Sequence, residues 1–371
     1  MSKSISFLLG AGFSAPMGYP IGNSMERFLY GLIDNYKREC DADPNCLEKI
    51  PYIFETMISH YNRARQCFNY EEFYEYIDFC CNDESIGGKL NHYRRSGNPP
   101  INEKAFDYKK IYQWYIAQLI KDSNGKQFYG EQDTKQLSIY ERFIEAIKDL
   151  LGKEYVINVH TLNHDLLFES FKYSPLIGAE ICDGFEYTDS PYRGKNKETE
   201  LVLPYYNGIY DKRIRLYKLH GSIDQYNYLK GGVYLEYDNH IKIGNCVDKD
   251  KELYKIENWK KTDTFRFCDF EPDFLTGIDS KRKGYLTNQL CKKLFLLFID
   301  NLNSADCLII IGYGAKDEGI NKLIRDEFDC GNKPCFIFDL KPNDALRNFA
   351  RDINVNEIIE KSVKDFEMPN F

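Results

Sequence analysis

The sequence predicts an α/β protein built on a doubly wound, Rossmann-like parallel sheet, with a large helical insertion. Three observations predict it. Short continuous apolar runs recur along the chain, as strands buried on both faces require. Each run is followed by a turn rich in glycine or polar residues. Helical periodicity fills the intervals between them.

The first run, Ile5–Leu9, ends at Gly10 and opens the turn Gly10-Ala11-Gly12-Phe13-Ser14. A helical pattern follows from about Ser24, with Met25, Phe28, Leu29, Leu32 and Ile33 at helical spacing. From Asp34 to Lys153 strand signals fade. Tyr108, Tyr112, Ile116 and Ile120 line one helix face, and Leu137, Tyr140, Ile144, Ile147 and Leu151 line another, with the loop Ser96-Gly97-Asn98-Pro99-Pro100 before them. Strand logic returns at Tyr155–Val159, Leu216–Leu219, Cys307–Ile311 and Cys335–Leu340, and Gln289–Leu302 reads as a helix. Residues 226–287 read as a polar, Tyr-rich irregular insertion whose hairpin signal is Lys230-Gly231-Gly232. The division expected is a Rossmann-like domain over 1–33 and 154–371 and a helical insertion over 34–153.

Composition narrows the function classes. With 371 residues, 49 basic and 57 acidic, the chain carries a net charge of −8, so bulk charge does not attract nucleic acid. At 43% apolar and 15% aromatic residues it is not a disordered chain. No apolar run reaches the roughly 18 residues of a membrane span. The apolar stretch after Lys3 breaks at Gly10, too early for a signal peptide, so a cytoplasmic protein is expected. The 12 cysteines are scattered without a C-x-x-C pair and read as free buried thiols. In the run Phe68–Phe79, Phe73, Tyr76 and Ile77 share a helix face and read as core packing; Lys281-Arg282-Lys283 reads as a solvated turn.

Four turns carry the chemistry. Gly10-Ala11-Gly12, between a strand and a helix, suits either a pyrophosphate cradle or a plain structural turn. Thr161-Leu162-Asn163-His164-Asp165 follows a strand end, where open sheets bind ligands. There Asn163 can hydrogen-bond ribose hydroxyls or position a water, and Asp165 can orient a neighbour or cap the next helix. His220, before Gly221 and Ser222, suits a general base or a structural role. Gly312-Tyr313-Gly314 again allows backbone approach, with Asp317 or Asn321 beyond it to cap a helix or touch a ribose. In a parallel sheet the four turns converge on one edge.

Together these segments resemble the sirtuin (Sir2-type) family, and more closely its prokaryotic anti-phage defence branch. Gly10-Ala11-Gly12-Phe13-Ser14 with Gly18-Tyr19-Pro20 is similar to the family's opening. Thr161–Asp165 is similar to its T-x-N-x-D, Leu219-His220-Gly221-Ser222 to its HG motif, and Ile311–Gly314 with Asp317 and Asn321 to a late G-Y-G stretch. The resemblance implies NAD as substrate. It implies Gly10, Ala11, Gly12, Ser14, Pro20 and Thr161 on the phosphate and ribose side, and Gly312, Tyr313 and Gly314 on the adenosine side. Asn163, His220 and Asp165 would be catalytic. The deacylases' structural zinc module, with its two C-x-x-C pairs, is missing from this sequence, and Ile21-Gly22-Asn23 replaces the family's usual continuation after Pro20. The expectation is therefore an NAD+ hydrolase without a metal, depleting NAD during phage infection, with deacylation or a non-catalytic NAD or ADP-ribose-sensing subunit as alternatives. Cyclisation of ADP-ribose shares the first bond-breaking step. The resemblance also implies a homo-oligomer and a separate partner such as a HerA-type ATPase.

Overall fold

A computed structural model describes residues 3–46, 48–65, 68–94, 99, 101–123, 134–196, 199–229, 237–244, 253–262, 271–277, 281, 283 and 288–371. The chain divides into two compact units. The first comprises Met1–Tyr19, Asn124–Phe274 and Tyr285–Phe371; the second comprises Pro20–Ser123 and Leu275–Gly284.

The first unit holds the sheets. Its strands, in chain order, are β1 Ser4–Leu9, β2 Val156–Thr161, β3 Ile181–Cys182, β4 Phe185–Glu186, β5 Tyr192–Asn196, β6 Thr199–Val202, β7 Tyr205–Tyr206, β8 Ile214–Lys218, β9 Gln225–Leu229, β10 Tyr237–Lys242, β11 Tyr254–Glu257, β12 Lys260–Thr262, β13 Cys307–Ile311, β14 Cys335–Phe338 and β15 Glu357–Ile359. Seven of them form one sheet in the order β15-β14-β13-β1-β2-β8-β3. Every pairing in it is parallel. This is the doubly wound sheet the apolar runs predict. β1 sits at its centre and is buried along its whole length. The strand order reverses at β1, with β2, β8 and β3 on one side of it and β13, β14 and β15 on the other, and in open sheets of this kind ligands bind at the carboxyl edge beside such a reversal.

Both faces of the sheet are covered. On one, Phe7 meets Phe143 of the helix Glu141–Gly152 edge-on at 5.8 Å, and Phe13, Tyr140 and Phe171 extend the same aromatic layer. On the other, the Ser6 hydroxyl donates to the Asn301 carbonyl of the helix Gln289–Ser304. Alternation along β1 explains the split, since successive side chains of a strand point to opposite faces.

Two four-stranded sheets complete the unit, β4-β7-β10-β9 and β12-β11-β5-β6. The Tyr-rich stretch therefore carries antiparallel strands. Tyr226, Tyr228, Ile241 and Leu253 of that stretch form a buried cluster with Tyr192 of β5. The hairpin signal at Lys230-Gly231-Gly232 lies outside the described residues, as does most of the loop 96–100.

The second unit is helical: Gly22–Ala42, Ile50–Ala64, Tyr70–Asn82, Glu84–Asn91 and Ala105–Ser123. Asn69 and Asp83 cap two of these helices through their side-chain oxygens. Phe54, Tyr61, Phe73, Tyr108 and Tyr112 are fully buried in its core, which explains the aromatic run. Two expectations fail here. Cys40 is bonded to Cys46 across the end of a helix, so these cysteines are not free thiols. Lys281 is buried and paired with Glu71, not solvated.

Candidate functional site

Four of the parallel strands are consecutive in the sheet, β13-β1-β2-β8, and each delivers one of the four turns to the same edge. Gly10 donates its N–H to the Ile311 carbonyl, and Gly12 donates to the Gly312 carbonyl, both at 2.9 Å. A Cβ on Gly10 would stand 2.5 Å from the Gly312 oxygen. A Cβ on Gly312, at φ +62°, would stand 2.6 Å from the Gly12 Cα. The glycines thus let two turns pack backbone on backbone. Ala11–Ser14 is a single helical turn, so it brings little dipole to this edge. At Gly314 an added Cβ would meet only the Asn343 amide, at 3.4 Å, which leaves that backbone approachable.

Asn163 is fixed from three sides. Its N–H donates to Thr161 Oγ1 at 3.1 Å. Its amide Nδ2 donates to the Gly10 carbonyl at 2.9 Å and to Ser14 Oγ at 3.0 Å. The donors of the amide are thereby directed into the protein, and Oδ1 remains to accept from a ligand hydroxyl or a water. Asp165 is buried; its Oδ1 accepts the Leu167 N–H at 3.0 Å and opens the short helix Leu167–Ser170. Its backbone carbonyl accepts from Lys218, whose ammonium also lies 3.4 Å from Glu169.

His220 is only 2% exposed and faces Asp317, with Nε2 3.5 Å from Oδ2. Gly221, at φ +77°, pairs with Phe274, and a Cβ there would overlap the Asp273 carbonyl. Asp273 is held in turn by His240 Nε2 at 2.8 Å and Asn288 Nδ2 at 2.9 Å. Burial works to raise this carboxyl, but those partners hold it below the ordinary value. The Phe274 ring packs 4.6 Å from His164, and His164 lies 6.2 Å from His220.

The structure brings Gly10, Ala11, Gly12, Ser14, Thr161, Asn163, Asp165, His220, Gly312, Tyr313 and Gly314 to one edge of the first unit. Pro20 begins the second unit. Tyr313 is buried with its hydroxyl turned inward, reaching the Asp317 carbonyl at 3.0 Å and Asn321 Oδ1 at 2.7 Å.

Sequence reasoning missed several residues that build this edge. Lys218 and Glu169 belong to a buried ionic cluster with Lys242, Asp183 and Asp224. Lys242 Nζ lies 2.8 Å from Asp183, 3.6 Å from Asp224 and 3.8 Å from Glu169. Burial opposes both charges, yet the attraction wins: Asp183 is held well below the usual carboxylate range, and Lys242 is pushed above the ordinary lysine value. The only signal in the sequence was a lysine inside an otherwise apolar strand end.

No family model matches the chain, and no curated protein matches it. Among solved structures it is similar to a Sir2 homologue in complex with NAD, with a TM-score of 0.42 and 11% identity over 98% of this chain and 86% of the other. It is also similar to Sir2 bound to an acetylated peptide, with a TM-score of 0.41 and 10% identity over 98% and 90%. The fold assignment rests on the strand order and pairing of the chain itself, an all-parallel sheet with helices on both faces and four polar turns at one carboxyl edge.

Proposed function

We propose that the chain is an NAD+ hydrolase that cleaves the bond between nicotinamide and ribose. The observation that carries this reading is the shared placement of Asn163, anchored on Gly10 and Ser14, and of His220, facing Asp317, at the carboxyl edge of adjacent strands. The motif resemblance supplies the substrate. In the reaction, nicotinamide leaves with the bonding electron pair, an oxocarbenium-like ribose forms, and water attacks the anomeric carbon. Asn163 Oδ1 orients a ribose hydroxyl or the water. His220 takes the proton that the water loses, and the products are nicotinamide, ADP-ribose and that proton. Pre-organisation supplies most of the effect, because the side chains that act are already held in place. The Ala11 and Gly314 backbones and the Ser14 hydroxyl are the groups we assign to the dinucleotide. We further propose that NAD depletion serves anti-phage defence in a cytoplasmic homo-oligomer working with a partner such as a HerA-type ATPase; the motif resemblance alone supports this part.

The test is NAD+ consumption by purified protein, with products separated, for wild type, Asn163→Ala and His220→Ala, alone and with candidate partners. Nicotinamide and ADP-ribose from the wild type, reduced at least a hundredfold or so in both variants, are expected. A cyclic product redirects the second step. Release that requires an acylated peptide replaces the reading with deacylation. Binding of NAD without turnover under any of these conditions replaces it with a sensing subunit.

A further inference from the structure

We propose that Asp317 is the positioning carboxylate of His220, so that the helix following β13 sets the imidazole on the end of β8; as a statement about catalysis it rests on the hydrolase reading above. Asp317 is the N-cap of the helix Glu318–Glu327. Its Oδ1 accepts the N–H groups of Gly319 and Ile320 at 3.0 and 3.2 Å. These two bonds fix the carboxylate plane, and Oδ2 then points to His220 Nε2 at 3.5 Å.

The cap does not require that second oxygen. Asparagine and serine cap helices as well as aspartate does. What only a carboxylate adds is a charged acceptor facing a histidine that is 2% exposed. Such an acceptor decides which ring nitrogen carries the proton and leaves the other as the base. The segment is braced to hold this geometry. The Tyr313 hydroxyl reaches the Asp317 carbonyl, and Asn321 Nδ2 donates to the carbonyl of Ala315 at 3.0 Å. Ala315 is kept at φ +52°, a conformation alanine rarely adopts. Glu318, the other carboxylate of the cap, is turned to Arg325 at 2.8 Å.

The experiment compares Asp317→Asn, which keeps the cap acceptor and loses the charge, with wild type, His220→Ala and the double variant. Two readouts are taken: steady-state NAD+ cleavage and the imidazole nitrogen chemical shifts of His220. Asp317→Asn is expected to keep the melting temperature. It should lower kcat by about a hundredfold with KM within about twofold, and move the His220 nitrogen shifts. In the His220→Ala background the same change should cost nothing further. An undiminished kcat, or losses that simply multiply in the double variant, overturns the proposal, because a purely structural cap would act without His220. If the wild type cleaves no NAD+, the function above fails and the nitrogen shifts alone decide; shifts identical in wild type and Asp317→Asn overturn the positioning role. Asp317→Ser, a second capping variant without charge, guards against a folding defect peculiar to asparagine.

Discussion

His160 carries both ring nitrogens into an apolar layer. The residue is fully buried, stacked on Tyr217 at 4.9 Å and packed on Phe298 at 4.6 Å, and neither nitrogen has a hydrogen-bond partner among the described residues. Burial lowers its pKa from 6.5 to about 3. The unfolded chain therefore binds this proton at a higher pH than the folded one. The stabilising contribution is full above about pH 6.5 and is lost as the pH falls from there toward 3, by about 1.4 kcal/mol per pH unit. His160→Leu should flatten the dependence of unfolding free energy on pH between 6.5 and 4.5. A slope equal to that of the wild type in chemical denaturation would refute this. At this scale the sequence was partly legible. Asn163 and His220 stand out because polar residues at strand ends need a reason. Ser14 and Asp317 stand out too, one as a ligand contact and the other as a cap or ribose contact, but their pairing with Asn163 and His220 does not, because these residues meet only through the sheet, across long stretches of chain.

At the level of elements, the turns after β1 and β13 interlock through Gly10, Gly12 and Gly312. Gly312→Ala places a Cβ against the Phe13 amide nitrogen and Gly12 at a positive φ, so both turns must part. A loss of about 2–4 kcal/mol is expected, combining backbone strain with overpacking. Gly31, within the helix Gly22–Ala42, has nothing within 4 Å of an added Cβ, and Gly31→Ala should stabilise by about 0.5–1 kcal/mol. Urea midpoints of the two variants decide; a harmless Gly312→Ala would mean that the turns are not locked together. The apolar runs revealed β1, β2, β8, β13 and β14. β3 and β15 are only two and three residues long, too short for any pattern. The sheets in the Tyr-rich stretch escaped notice because strands such as Gln225–Leu229 bury polar and aromatic residues alike, which erases the alternation a half-buried strand shows. The Cys40–Cys46 bond is not legible from cysteine spacing alone, because the end of the helix Gly22–Ala42 is what turns the chain back to bring the two together.

Across the molecule, the ionic cluster is what ties the antiparallel strand β10 to the parallel sheet of the first unit. Lys242→Met would leave Asp183, Asp224 and Glu169 around an apolar side chain that is about nine-tenths buried. A loss of about 3–5 kcal/mol is expected, with part of it recovered in Lys242→Met/Asp183→Leu. A cost below about 1 kcal/mol, set against the worth of ordinary exposed pairs, would show the cluster to be solvated. Periodicity gives a helix such as Glu141–Gly152 but not the unit it joins, because an amphipathic stripe says only that one face is covered. The central position of β1 has a consequence in time. Ser4 reaches Asp306, 302 positions away, so β1 has to wait for one of its two neighbours. At about 5–20 residues per second, translation leaves β1 without β13 for tens of seconds or so. During that interval Asn163 and His220 already exist, but the turn that closes over Gly10 and Gly12 does not. The backbone pairing of Gly10 and Gly12 with Ile311 and Gly312 is thus a late contact of the fold, made only once β13 has left the ribosome.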